Sequence, residues 1–400
     1  MFNYKYPVSP IALFLLISVI LTASVAALFT YQLIAYSHIV TNRDFANYWL
    51  ASKLWLDGDV LDLFRGQDIY FRQALDTYGG NFTWHNWSYP PHFLFFTLPL
   101  ALAPLPVSIV AFELVSLAAF LHAAWVASRR LDRLTTALLV PFVLCNIIFA
   151  QNGFLTAALM LYGLSLRSSM PIIAGLAFGL LTIKPQLGIL VPFLLMAERR
   201  WLVIISAAVT TFTVIALSAA VFGIEAWKGY IEHNIPYQTH VMRELGGTFV
   251  EMMPSVYGAL RTYGLTADPA MTVHGIVAIA AVLFFVWTLM ALRRSEARAF
   301  SLVIATFMIT PYSLTYDLGA LVVLAALFVS PVNEGQNREV RLNLGFVPVC
   351  MLPIAAQPLA AQGILLAPFV IAFTWASLIY QEYRRGALSL SFRPLSPPAE

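Results

Sequence analysis

The sequence predicts an all-α integral membrane protein of about twelve transmembrane helices, with amphipathic interfacial helices in its long outer loops. Three observations carry that prediction. Of the 400 residues, 60% are hydrophobic and only 11% charged, with a mean hydropathy of +0.77, a balance that leaves a soluble protein too little polar surface. Apolar runs recur along the chain at close to the roughly 20 residues that a spanning helix needs. The basic residues gather on alternate connections.

Taken in order, the runs place helices near 11 to 35, 106 to 128, 134 to 150, 154 to 167, 171 to 183, 186 to 198, 201 to 222, 272 to 292, 299 to 311, 314 to 330, 343 to 358 and 362 to 381. Several of the middle ones are shorter than a bilayer core, which predicts local thinning, tilting or half-buried ends. The whole chain, 1–400, reads as one membrane domain. With the N-terminus inside, fifteen of the 23 Lys and Arg residues fall in inner connections, among them Arg129 and Arg130, Arg199 and Arg200, and Arg293 and Arg294. The other eight are spread over much longer loops, so both termini are expected in the cytoplasm, with residues 382–400 as a cytoplasmic tail. The apolar stretch 92 to 105 is read as interfacial or re-entrant, because counting it as a span would put every later basic cluster outside. Ser24-Val-Ala26 resembles a small-residue cleavage site, but the first run continues apolar past it and is read as a helix.

A net charge of +3 offers no basic surface for nucleic acid. Cys145 and Cys350 both sit in apolar runs, which excludes a disulfide framework and a thiolate metal site. There is no GxxxxGK[ST] and no HExxH, and Asp57-Gly-Asp59 reads as a turn rather than a metal-binding acid pair. No cofactor is implied. A divalent ion held by outer carboxylates stays open, although no ligand spacing demands one.

Two outer loops, 36–91 and 223–271, are long in a chain otherwise joined by short turns, and such loops tend to carry function. Twelve of the 20 acidic residues lie on this face. Thr41-Asn-Arg-Asp44 offers N-cap candidates for a helix in which Phe45, Trp49, Ser52 and Leu56 recur at helical spacing beside Tyr48 and Trp55. That helix is expected to lie on the membrane. A second interfacial helix is expected near 67 to 78, with Ile69, Tyr70, Ala74 and Tyr78, and Ile224, Trp227 and Ile231 repeat the pattern. Such helices suit an enzyme acting on lipids; equally, they could only anchor the bundle.

Asp44, next to Arg43 at a helix start, reads either as a base brought near neutrality by burial or as a plain first-turn carboxylate. Trp84-His85-Asn86-Trp87-Ser-Tyr89-Pro-Pro-His92 is the densest aromatic and hydrogen-bonding segment: rings stack on sugar faces, while His and Asn read hydroxyls or a phosphate. An interface belt would explain the rings but not the histidines and asparagine. Lys184-Pro-Gln186 places a cation between two apolar runs, where it pairs with an anion or snorkels to headgroups. Gln151-Asn152-Gly153 and Thr310-Pro-Tyr-Ser-Leu-Thr-Tyr316-Asp317 are further polar breaks at helix ends. His233, His240 and Arg243, with Tyr237 and Gln238, form another anion-reading set.

These residues resemble glycosyltransferase family 87 of the GT-C class, the polyprenyl-phosphate-mannose-dependent mannosyltransferases. The resemblance rests on Asp44 with Tyr48, Tyr89-Pro-Pro91, Gln151-Asn152-Gly153, the Gly175 to Gly179 run leading into Lys184-Pro-Gln186, Arg199-Arg200-Trp201, and Pro311 followed by Tyr316-Asp317. Each motif is short; their order and spacing carry the likeness over nearly the whole chain. It implies a GT-C bundle and an inverting transfer of a hexose, mannose first, from a polyprenyl-phosphate sugar to a hydroxyl of a glycolipid or glycan. The active site would face the periplasmic or extracellular side of the cytoplasmic membrane. Asp44 would be the base. Lys184, with His92, Arg243 or His240, would meet the donor phosphate. Tyr48, Trp84, His85, Asn86, Trp87, Tyr89, Gln151, Asn152, Gln186, Tyr316 and Asp317 would line the sugar or acceptor pocket. The rival reading, a secondary transporter or a lipid or polysaccharide flippase, predicts paired broken helices in matching halves, and no matching halves appear. A non-catalytic scaffold would have little use for the polar first loop.

Overall fold

The structure is a computed structural model and describes residues 44–80, 85–128, 131–329 and 343–388. The expected first span at 11–35, Arg43 and Trp84 lie outside the described residues. Among those described, every regular element is helical, and the one β-bridge joins Leu292 to Leu388. The main helices are α1 (Phe45–Asp57), α2 (Gln67–Tyr78), α3 (Leu105–Ser128), α4 (Arg133–Phe149), α5 (Gly153–Leu166), α6 (Pro171–Leu180), α7 (Trp201–Phe222), α8 (Ile235–Glu244), α9 (Ala267–Ala291), α10 (Ser295–Ile309), α11 (Gly319–Val329), α12 (Val347–Ala361) and α13 (Ala367–Arg384).

Each expected run within the described residues falls on a helix or a broken helix pair, but the spans are unequal. Four helical segments, Leu105–Ser128, Trp201–Phe222, Ala267–Ala291 and Leu344–Ala361, are long and apolar enough to cross a membrane. The others are shorter. The half-length α5 and α11 are buried almost throughout, whereas α7 and α9 leave apolar side chains such as Phe212, Ile276 and Leu283 exposed. This arrangement suits a lipid solvent, because a buried helix needs no full bilayer length of its own and a peripheral one does. The α6 to α7 contact is closest at Gly175 and Gly179, where an added Cβ would come within 2.4 Å of Ser206 and 2.5 Å of Thr210. Small residues four apart let the two backbones approach.

At one end of the bundle the helices are tied by charge. Arg167, after α5, gives its Nε to Glu198 at 2.7 Å and its Nη2 to the Ser295 carbonyl at 2.8 Å, and Arg298 on α10 reaches the other Glu198 oxygen at 3.1 Å. From this end α5 and α6 come back from and lead up to the opposite end, where Gln151 and Lys184 stand.

The first-loop helix differs from expectation. Rather than lying on a membrane by one face, α1 buries Phe45, Tyr48, Leu50, Ala51 and Leu54, and it packs against the Leu100–Leu102 turn and α3. Its polar Ser52 is inward too, donating to the Leu98 carbonyl at 2.7 Å and accepting from the Ala101 amide at 2.8 Å. The expected stretch 92 to 105 is a chain of short turns, Pro91–Phe93, Leu94–Thr97 and Leu100–Leu102, broken by Pro99. The second helix does turn one face inward, through Tyr70 and Ala74. Ile224 and Ile231 stay exposed.

Candidate active site

A cavity of about 1040 Å³ opens at the end of the bundle away from the Glu198 cluster, at the upper limit of the usual range for ligand sites. Four breaks in helical structure build it. Asp44 occupies the N-cap position of α1 but makes no capping bond, so its carboxylate is available to the cavity, with about a third of the side chain exposed. His85 Nδ1 lies 3.1 Å from one Asp44 oxygen, and the Gln151 amide donates to the other.

Gln151 is aimed by its backbone. The preceding Ala150 ends α4 in the left-handed region at φ 49°, a strained conformation for a residue with a Cβ. The Gln151 Oε1 accepts from Tyr48 at 2.6 Å and stands 3.3 Å from the Tyr89 hydroxyl, and the two phenols are 2.8 Å apart. With its oxygen so occupied, the Gln151 NH₂ can only face Asp44. At the start of α5, Gly153 lets the Tyr316 segment pass so closely that a Cβ would fall 1.9 Å from the Tyr316 carbonyl. That close passage sets Asp317 beside the cavity.

Lys184 sits between the Leu181–Ile183 turn and Pro185, and the proline keeps the residue before it out of the helical region, here at φ −132° and ψ 78°. The side chain turns inward to Asp317 Oδ1 at 2.6 Å, with the ammonium 4.9 Å from the centre of the Tyr316 ring. Asp317 is fixed in turn by the Leu314 amide at 3.2 Å.

Burial raises the Asp44 carboxyl, but the His85 hydrogen bond and charge, the Gln151 amide and the Lys184 ammonium outweigh it and hold the group below the ordinary aspartate value. This corrects the expectation of a base near neutrality. Burial pushes the Tyr48 and Tyr89 phenols well up, so both stay neutral hydrogen-bond donors.

Of the residues expected in the site, Asp44, Tyr48, His85, Asn86, Tyr89, Gln151, Lys184, Gln186, Tyr316 and Asp317 border this one cavity. Trp87 does not: its ring is buried behind Tyr89, centroids 5.5 Å apart. His92 is buried below the floor, stacked at 5.8 Å on Trp227 and 3.3 Å from Thr182, which corrects its expected place at a phosphate. Asn152 is fully buried outside the lining. Arg243 pairs with Asp268 on the exposed surface, and His240 is exposed against the Tyr237 ring, so neither reaches the cavity. Conversely, the cavity includes Ser88, Asn234 and Tyr312, whose one signal was their place in polar breaks or in the second long loop, and Gln238, which the sequence reading grouped with an anion-reading set rather than with the sugar pocket. Among the described residues no three His, Cys, Asp or Glu side chains come together as metal ligands.

The family profile described as Glycosyltransferase family 87 matches residues 87–311, more than half of the chain. The chain belongs to glycosyltransferase family 87. No curated protein and no solved structure matches it. As a family 87 glycosyltransferase it acts on a sugar donor and an acceptor, and its apolar helices make it a multi-pass membrane protein. The matched region holds Tyr89, Gln151 and Lys184; Asp44, Tyr316 and Asp317 lie outside it and join the site by geometry alone.

Proposed function

We propose that this glycosyltransferase moves a hexose, mannose in the first instance, from a polyprenyl phosphate to an acceptor hydroxyl of a glycolipid or glycan, with inversion, at the outer face of the cytoplasmic membrane. The observation that supports it most is that an ionised carboxylate, Asp44, and a buried ammonium, Lys184, border the same cavity, which is otherwise lined largely by apolar and aromatic side chains. An inverting displacement needs those two elements. The acceptor oxygen attacks the anomeric carbon, the bond from that carbon to the phosphate oxygen breaks, the electron pair leaves with the phosphate, and the acceptor proton passes to Asp44. Lys184 would meet the growing charge on the phosphate as a point cation. No acid is needed for the leaving group, because the departing polyprenyl phosphate, a phosphate monoester, is already a weak base.

Asp44 starts as a weak base, with both oxygens held. Entry of a lipid phosphate would add a negative charge and remove water, and both changes raise a carboxyl pKa toward the value that proton abstraction needs. The apolar lining from Ile148, Phe149, Phe249 and Met252 suits the first isoprene units of such a donor. The outer face is supported by the charge asymmetry of the loops. A transfer assay with purified protein and a total lipid extract tests the donor class. Label should pass to product from polyprenyl-phosphate mannose and not from a nucleotide sugar; the reverse result would refute this reading.

A further inference from the structure

The second long loop contributes two amides whose orientation the rest of the structure fixes. Just before α8 the chain makes a π-helical turn, Tyr230–Asn234, a widened geometry frequent at functional sites. Its cause is local: Pro236 has no N–H to give to the preceding turn and crowds the carbonyl four residues back. Asn234, 9% exposed, gives its Nδ2 to two backbone carbonyls, Leu63 at 3.0 Å and Trp87 at 2.8 Å. Its oxygen must therefore point the other way, and that oxygen is buried without a partner. One turn on, the Gln238 oxygen accepts from Ser88 at 2.7 Å and Asn86 at 3.3 Å, so its NH₂ is directed away from them. That nitrogen is also buried without a partner. The Tyr312 phenol oxygen is the nearest acceptor for this N–H and feels it as a weak hydrogen bond, but the pair does not reach full hydrogen-bond geometry, so the nitrogen keeps its capacity to donate.

Residues four apart share a helix face, and both border the cavity that holds Asp44 and Lys184. Unsatisfied buried amides are rare in folded proteins, and here an acceptor and a donor occur one helical turn apart at the same cavity. We propose that Asn234 Oδ1 and Gln238 Nε2 form a saccharide subsite that reads two neighbouring hydroxyls of a hexose ring, one donating to Asn234 and one accepting from Gln238. The subsite rests on the glycosyltransferase reading above and deepens it. Both atoms are covered by neighbouring side chains, so the sugar is received by movement of those neighbours while the two amides keep their orientation.

The test is equilibrium binding to the full-length protein in detergent, using three probes: farnesyl phosphate, farnesyl-phosphate mannose and an octyl mannoside. Gln238→Met is neutral and close to the same length and removes the donor nitrogen without adding a charge to the cavity; Gln238→Ala and Asn234→Ala are the companions. Loss of one hydrogen bond to a neutral hydroxyl should weaken a sugar-bearing probe about tenfold, with farnesyl phosphate binding unchanged. A loss confined to farnesyl-phosphate mannose assigns the subsite to the donor sugar, and one confined to the octyl mannoside assigns it to the acceptor; either supports the proposal. Sugar-probe affinities that are unchanged in Gln238→Met, or a loss that includes farnesyl phosphate equally, would overturn it while leaving the wider reading intact. Wild-type protein that binds neither sugar probe would overturn both.

Discussion

The two ends of the bundle each bury a carboxylate against a cation, and they use it differently. At the Glu198 end one carboxylate is saturated: Arg167 and Arg298 reach its two oxygens, Ser295 adds a hydroxyl at 3.0 Å, and the side chain is 3% exposed. Nothing more can bind there. At the cavity end Lys184 holds a single Asp317 oxygen, and its other contact is the Tyr316 ring, which leaves an ammonium with hydrogens to give beside a space large enough for a substrate. A buried ion pair is therefore no mark of function by itself. The bordering cavity and an incomplete set of partners distinguish a site from a rivet.

Substitutions should separate the two ends. The largest effect is expected from Asp44→Asn, which keeps the size but removes the base: transfer should fall roughly 10²- to 10⁴-fold with the melting temperature unchanged, and full activity would remove Asp44 from the chemistry. Glu198→Gln should act in the opposite sense. Two buried guanidinium groups lose their counter-charge, which costs about 3 to 5 kcal/mol, seen as a lowered melting temperature in detergent with activity per folded molecule retained.

Lys184→Ala should weaken binding of farnesyl phosphate by roughly 10- to 100-fold, as the loss of a charged hydrogen bond predicts; untouched affinity in a binding titration would dismiss the phosphate role. Gly153→Ala sets a Cβ against the Tyr316 carbonyl, and the overpacking should cost about 1 to 3 kcal/mol, with donor affinity falling in the same titration because Asp317 is displaced with the strand of chain that carries it. The smallest effect is on acid stability. Burial raises Glu198 but the Arg167 hydrogen bond and the two arginine charges lower it more, so its folded value lies below the ordinary 4.5. A depressed carboxyl contributes stability that is present above the ordinary value and lost as the pH falls through the folded one. Melting curves carried from about pH 6 through 4.5 and down to 3 should therefore fall less steeply in Glu198→Gln than in wild type.

Much of this was legible in the sequence because lipid imposes a simple rule: apolar runs become helices, and polar breaks between them become ends. The runs near 201 to 222 and 154 to 167 coincide with α7 and α5 to within a residue. What stayed hidden was pairing across long separations. Asp44 and Gln151 are 107 residues apart, and Lys184 and Asp317 are 133 apart, so no local pattern joins them. Motif order brought the right segments together without showing which side chains meet. His92 failed for a related reason, since a histidine in an aromatic stretch looks the same whether it faces the cavity or packs beneath it on Trp227. The first-loop helix misled through its aromatic spacing, because rings arranged every three or four residues suit a membrane surface and a protein core equally well.

The contact at Gly153 has a consequence for how the enzyme can work. Because the chain at Gly153 and the chain carrying Tyr316 are in contact, Gln151, which holds Asp44, and Asp317, which holds Lys184, are braced against each other. Adjustment to different sugars or acceptors then falls to the rest of the lining, where Thr239, Met242 and Leu245 come from the second long loop and take no part in that brace.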